Sequence, residues 1–148
     1  MEMRVVLVSG YFDPIHRGHI YHFRDAKVLG DKLVAFIHRD ECCIKKKGYV
    51  FMPLEDRLEV LKAIRYVDEV VVCSEGCDLT ATQILRKLKP AIFAKGGDRT
   101  PETMPREELK ACEELGIKIV YNVGGGKIQS SSQLVDRVKT SCESSVAR

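Results

Sequence analysis

The stretch Val5-Val6-Leu7-Val8-Ser9-Gly10-Tyr11-Phe12-Asp13-Pro14-Ile15-His16-Arg17-Gly18-His19 reads as a short apolar strand, a turn and the start of a helix. Its apolar opening is too short for the core of a secretion signal and lacks a small-residue cleavage site, so it reads as a buried first strand. The turn sets His16 and His19 three residues apart around Gly18 at the helix start. Backbone N–H groups and the positive end of the helix dipole attract phosphate there, and Gly18 lets the backbone approach it closely. Taken alone, two histidines at a helix start also fit an ordinary surface turn, because histidine has many structural uses.

Outward from this stretch, apolar runs alternate with segments of helical period. Strands are expected near residues 4–9, 32–38, 69–73, 91–94 and 117–121. Helices are expected over residues 18–29, from Pro53 to residue 64, from a Thr80 cap to residue 88, over residues 105–116, and from residues 130–132 onward. Residues 39–52 read as a loop and residues 140–148 as a polar tail. The alternation calls for an α/β fold: one Rossmann-like domain over residues 1–139, with about five parallel strands doubly wound and helices on both faces. In such sheets ligands bind at the carboxyl ends of the strands, where strand order reverses. The unusual segments 10–19, 39–52, 95–100 and 122–132 all follow strands and are expected to converge on that rim.

Composition narrows the classes of function. A chain of 148 residues with 45% hydrophobic and 30% charged residues suits one soluble domain. No apolar run approaches the ~20 residues that cross a bilayer. A net charge of +3 without a basic face interleaved with aromatics argues against a nucleic-acid partner. Six cysteines with no export signal read as reduced thiols. Cys42-Cys43 are adjacent and Cys73 and Cys77 four apart, without the two-residue gap of zinc knuckles, so no metal site is expected. The expectation is a cytoplasmic protein with neither membrane nor nucleic-acid partner.

Four more segments carry possible chemistry. Lys45-Lys46-Lys47-Gly48, with Arg57 downstream, is by composition a solvated loop, yet ammonium groups also neutralise phosphate oxygens during phosphoryl transfer. Lys95-Gly96-Gly97-Asp98 follows strand four; it fits a plain turn, or a carboxylate placed to accept from a base, a ribose or a hydrated metal. The serines of Gly124-Gly125-Gly126-Lys127-Ile128-Gln129-Ser130-Ser131-Ser132 cap a helix in any protein, and a glycine turn feeding free N–H groups and hydroxyls also suits phosphates. Ile64-Arg65-Tyr66-Val67-Asp68-Glu69-Val70 reads as a helix end entering strand three. No Walker A loop is present, since neither Gly-Lys-Ser nor Gly-Lys-Thr occurs.

Gly10-Tyr11-Phe12-Asp13-Pro14-Ile15-His16-Arg17-Gly18-His19 resembles the Gly-x-Phe-Asp-x-x-His-x-Gly-His box of the cytidylyltransferase-like nucleotidyltransferases, and the resemblance continues to about residue 137. That superfamily includes cytidylyltransferases of phosphorylated alcohols, the adenylyltransferase domain of heptose-phosphate enzymes, and archaeal FAD synthetases. The resemblance implies catalytic roles at the α-phosphate for His16 and His19, with Lys45 as the first-choice catalytic lysine, Lys47 second and Lys46 last. It implies nucleotide contacts for Gly10, Tyr11, Phe12, Asp13, Gly18, Arg57, Arg65, Lys95, Gly96, Gly97, Asp98, Gln129, Ser130, Ser131 and Ser132. Arg65-Tyr66-Val67-Asp68 leans toward CTP and Lys95-Gly96-Gly97-Asp98 toward ATP, with CTP placed slightly ahead. The implied reaction passes a nucleoside monophosphate to a phosphorylated small molecule and releases pyrophosphate, in a homodimer using Mg²⁺ carried on the nucleoside triphosphate. The rival from another class is a module that binds a nucleotide without reacting; it would have little need for both histidines and the lysine.

Overall fold

The computed structural model describes residues 2–76, 78–125 and 130–146, with backbone alone over 142–146. Five parallel strands form the sheet: β1 (Val5–Gly10), β2 (Lys32–Ile37), β3 (Glu69–Val72), β4 (Ile92–Ala94) and β5 (Lys118–Val120). Around them lie α1 (Arg17–Lys27), α2 (Asp40–Lys47), α3 (Leu54–Ala63), α4 (Thr82–Leu88), α5 (Arg106–Leu115) and α6 (Ser131–Val146). The strand order is β3-β2-β1-β4-β5, so the winding reverses between β1 and β4 as expected for a doubly wound sheet.

The apolar run in β1 has a direct cause. Val6 and Val8 pack with Phe23 of α1 and Leu61 of α3 on one face, while Leu7 joins Leu85 of α4 and Ala111 of α5 on the other. A strand covered on both faces has no solvent side, so its sequence cannot alternate. Each buried valine, leucine and phenylalanine among these contributes roughly 1.5–3 kcal/mol, which makes β1 the axis of the core. The β1–β4 pairing, with Leu7 opposite Phe93, brings the carboxyl ends of the two strands side by side.

Two segments differ from the sequence expectation. Residues 39–52 contain α2 rather than an uninterrupted loop. Asp40 and Glu41 in its first turn and Lys45, Lys46 and Lys47 in its last complement the helix dipole, and Gly48 at φ 89° closes it in the left-handed region. Residues 140–146 continue α6 instead of starting a tail, since Ser131–Val146 contains neither glycine nor proline to stop it.

Candidate active site

A cleft of about 480 Å³ opens at the carboxyl ends of β1 and β4. One wall is the head of α1. His16 is its N-cap, and its Nδ1 accepts the Gly18 N–H at 3.1 Å. His19, in the first turn, closes a capping box by accepting the His16 N–H at its own Nδ1, also at 3.1 Å. A nitrogen that accepts from a backbone N–H carries no proton, so both neutral rings are protonated at Nε2. The rings lie 3.9 Å apart, and Phe12 meets His19 edge-on at 5.1 Å.

Burial pulls the His19 pKa down to about 3, helped by the electrostatic effect of neighbouring His16, His22 and Lys47. At neutral pH His19 is therefore a neutral hydrogen-bond donor. His22 also lines the cleft, but in the opposite tautomer: its Nδ1 lies 2.8 Å from the Val123 carbonyl, which can only accept. Burial lowers its pKa as well.

The facing wall is the segment after β4 and the turn after β5. Lys95 lies over the Phe93 ring at 4.6 Å and 3.8 Å from Glu108; burial lowers its pKa, opposed by Glu108. A Cβ on Gly97 would fall 2.3 Å from the Gly125 carbonyl oxygen, and one on Gly124 would fall 2.8 Å from Cα of His22. These glycines let two loops and α1 close around the cleft. Ser130 caps α6 by accepting the Gln133 N–H at 3.0 Å, and the Ser131 hydroxyl donates to Pro14 O at 2.7 Å, tying α6 to the histidine turn.

Residues 7–137 match the family model described as cytidylyltransferase-like. The chain belongs to the cytidylyltransferase-like family. It is similar to the FAD synthase of Pyrococcus horikoshii, with 45% identity over 115 residues covering 77% of this chain and 70% of that protein. It is also similar to the bifunctional protein HldE of Pelobacter propionicus, 34% identical over 91% of this chain and 27% of that much longer protein. Among solved structures, a lipopolysaccharide core biosynthesis protein from Thermoplasma volcanium superposes with a TM-score of 0.67 at 29% identity, covering 81% of this chain and 96% of that one. The chain is thus a nucleotidyltransferase.

His16, His19, Gly10, Tyr11, Phe12, Gly18 and Lys47 line the cleft on the α1 side, and Lys95, Gly96, Gly97 and Asp98 face them with Ser130, Ser131 and Ser132. Four expected residues lie elsewhere. Lys45 is exposed and outside the cleft, while Lys46 and Lys47 line it; because the segment is helical, successive side chains turn by about 100°. Asp13 is fully buried, accepting the Phe51 N–H at 2.8 Å and the Met52 N–H, with Lys47 Nζ 3.4 Å away. It anchors the loop beneath the cleft and does not touch it.

Arg57 is also fully buried. It donates to the carbonyls of Met52, Tyr11 and His38 at 2.7–2.8 Å and to Asp40 at 2.6 Å, so its donors are committed to the fold and not to a triphosphate. Arg65 lies just before β3, at the amino rim opposite the cleft, where its guanidinium covers the Tyr66 ring at 4.9 Å. In the same run, Asp68 accepts the Leu33 N–H at 2.7 Å and pairs with Lys27, which explains these residues as a clasp for β2, β3 and α1. Gln129 lies outside the described residues. The sequence passes over His22 and Arg99 and ranks Lys46 last, yet all three line the cleft. His22 was legible, being three residues after His19 on the same helix.

Proposed function

We propose that this chain transfers AMP from ATP to the phosphate of a small phosphorylated acceptor, FMN first among them, and releases pyrophosphate. The observation that carries this reading is the pair of Nε2 donors on His16 and His19, set side by side by the capping box at the head of α1. An acceptor phosphate oxygen attacks the α-phosphorus. The new P–O bond forms as the bond to the β-phosphate oxygen breaks, and pyrophosphate leaves with the electron pair. A phosphate nucleophile is already anionic, so no general base is needed, and neutral histidines suit a site that must donate to developing charge. Lys46 and Lys47 supply positive charge from the end of α2, and the start of α6 offers hydroxyls to the leaving group.

The residues also fit a Mg²⁺ that arrives on the triphosphate. Among the described residues, Asp98 is the one carboxylate lining the cleft, so the protein offers no carboxylate cage and the phosphate oxygens would hold the ion. Its chemistry is to neutralise charge on those oxygens.

The preference for CTP rested on Arg65, and that residue sits at the far rim. The FAD synthase relative favours ATP and FMN, so we place adenylyl transfer ahead. A homodimer in the cytoplasm, implied by the family resemblance, belongs to the same proposal. The test is pyrophosphate release with Mg²⁺, crossing ATP and CTP with FMN, a sugar phosphate and a phosphorylated alcohol, and mass analysis of the product. FAD from ATP and FMN is expected, with kcat/KM at least about tenfold above that with CTP, equivalent to about 1.4 kcal/mol. A CTP preference returns the chain to the cytidylyl branch, and no product from any pair favours the binding module.

A further inference from the structure

A second cluster of reactive side chains lies beside the cleft without lining it. His38 follows β2, Cys42 sits in the first turn of α2 and Cys73 follows β3. One donor atom from each lies within 4.8 Å of the other two, and all three residues are buried. The Sγ atoms of Cys42 and Cys73 are 3.8 Å apart. Two thiolates on a tetrahedral zinc ion, with Zn–S bonds of about 2.3 Å, stand about 3.8 Å apart. Cys73 Sγ also accepts the Arg39 N–H at 3.2 Å, an outer contact of the kind that orients and stabilises a ligating sulfur. The His38 ring is fixed by stacking on Tyr11 at 4.5 Å and by an edge contact with Phe36 at 5.2 Å.

We propose that His38, Cys42 and Cys73 form a binding site for one thiophilic divalent cation of the zinc class. Nitrogen and sulfur donors in this ratio suit zinc better than magnesium or calcium, which prefer oxygen. Two thiolates, a neutral imidazole and a dication sum to zero charge, so the occupied site buries no net charge. Binding releases the two thiol protons to solvent, and the fourth tetrahedral position is left to a water. The ion takes no part in nucleotidyl transfer; it pins the start of α2 to the ends of β2 and β3. The last turn of α2 carries Lys46 and Lys47 to the cleft, and Tyr11, which backs onto His38, lines it. Sequence spacing hides this site, because its ligands are separated by 4 and then 31 residues and come from the end of β2, the start of α2 and the end of β3.

The test uses the full chain, stripped with a chelator under reducing conditions and titrated with Co²⁺. One equivalent should bind with an intense thiolate-to-cobalt charge-transfer band, and Zn²⁺ should displace it and raise the melting temperature. Cys42→Ala and Cys73→Ala should each abolish the band and weaken binding by more than the roughly 10- to 100-fold lost with an outer-shell partner. Cys112→Ala, at a buried cysteine elsewhere in the core, should keep it. The wild-type titration does not depend on any variant folding. A wild-type chain with no such band overturns the proposal, as does a band that survives in both cysteine variants.

Discussion

The Nδ1 of His19 accepts the backbone N–H of His16 at 3.1 Å, so the fold itself decides which nitrogen of the catalytic candidate carries the proton. Asparagine places its oxygen near the Nδ1 position but has nothing at Nε2. His19→Asn should therefore keep the helix cap and lose the donor. The expected result is a fall in kcat of about 10²- to 10³-fold with little change in nucleotide dissociation constant, read from single turnovers and binding titrations. Turnover within threefold of the parent would remove His19 from the chemistry.

The winding of α2 decides which lysine of Lys45-Lys46-Lys47 serves the site. Lys47 lines the cleft and donates to Asp13 O at 2.7 Å, whereas Lys45 points away from it. Lys47→Gln should lower kcat/KM by at least about tenfold, and Lys45→Ala should leave it within about threefold. Steady-state kinetics of the two variants, with circular dichroism to confirm folding, distinguish the two registers; the reverse order would make Lys45, and not Lys47, the lysine that meets the phosphates.

Arg57 should behave as a core residue. Its replacement by alanine leaves three carbonyls without their donor, at a cost of about 1–3 kcal/mol for each acceptor left buried and unpaired, while the Asp40 side chain, 44% exposed, turns to water. Urea unfolding should report that loss, while the nucleotide KM of the remaining folded fraction stays close to the parent's. A stable Arg57→Ala protein with a sharply raised KM would restore the triphosphate contact that the resemblance implies.

Stability should depend on pH through His19. Its folded pKa of about 3 lies below the ordinary 6.5, so at a pH between the two the unfolded chain binds a proton that the folded chain does not. The folded state loses stability as pH falls from 6.5 toward 3. The slope for one such group is at most about 1.4 kcal/mol per pH unit. His19→Asn should flatten the fall in unfolding free energy between pH 7 and pH 5 by about 1–2 kcal/mol. Equal slopes for parent and variant in urea titrations at the two pH values would contradict this.

Much of the fold was legible because its causes are local. The unbroken apolar run of β1 announces a strand covered on both faces, and the alternation of such runs with helical segments announces the parallel sheet. His16, Gly18 and His19 are neighbours in the chain, so their meeting at a helix start needs no knowledge of distant residues. The order β3-β2-β1-β4-β5 then brings Gly10 and Ala94 to one rim, and the segments after β1, β4 and β5 meet there.

Other assignments depended on distances between parts of the chain that no local pattern encodes. The family resemblance names both Arg57 and Arg65 as nucleotide contacts, yet one is sealed in the core and the other lies at the amino rim. Whether Lys45 or Lys47 faces the cleft follows from the winding of α2, and a rotation of about 100° per residue reverses the choice. The contact of Gly97 with Gly125, and the gathering of His38, Cys42 and Cys73, arise only when separate elements pack. The sequence by itself determined the five strands and the helices between them apart from α2 and the end of α6, since burial and capping act over a few residues. Tertiary structure alone decided which charged and sulfur-bearing side chains meet, because packing sets those distances across dozens of residues.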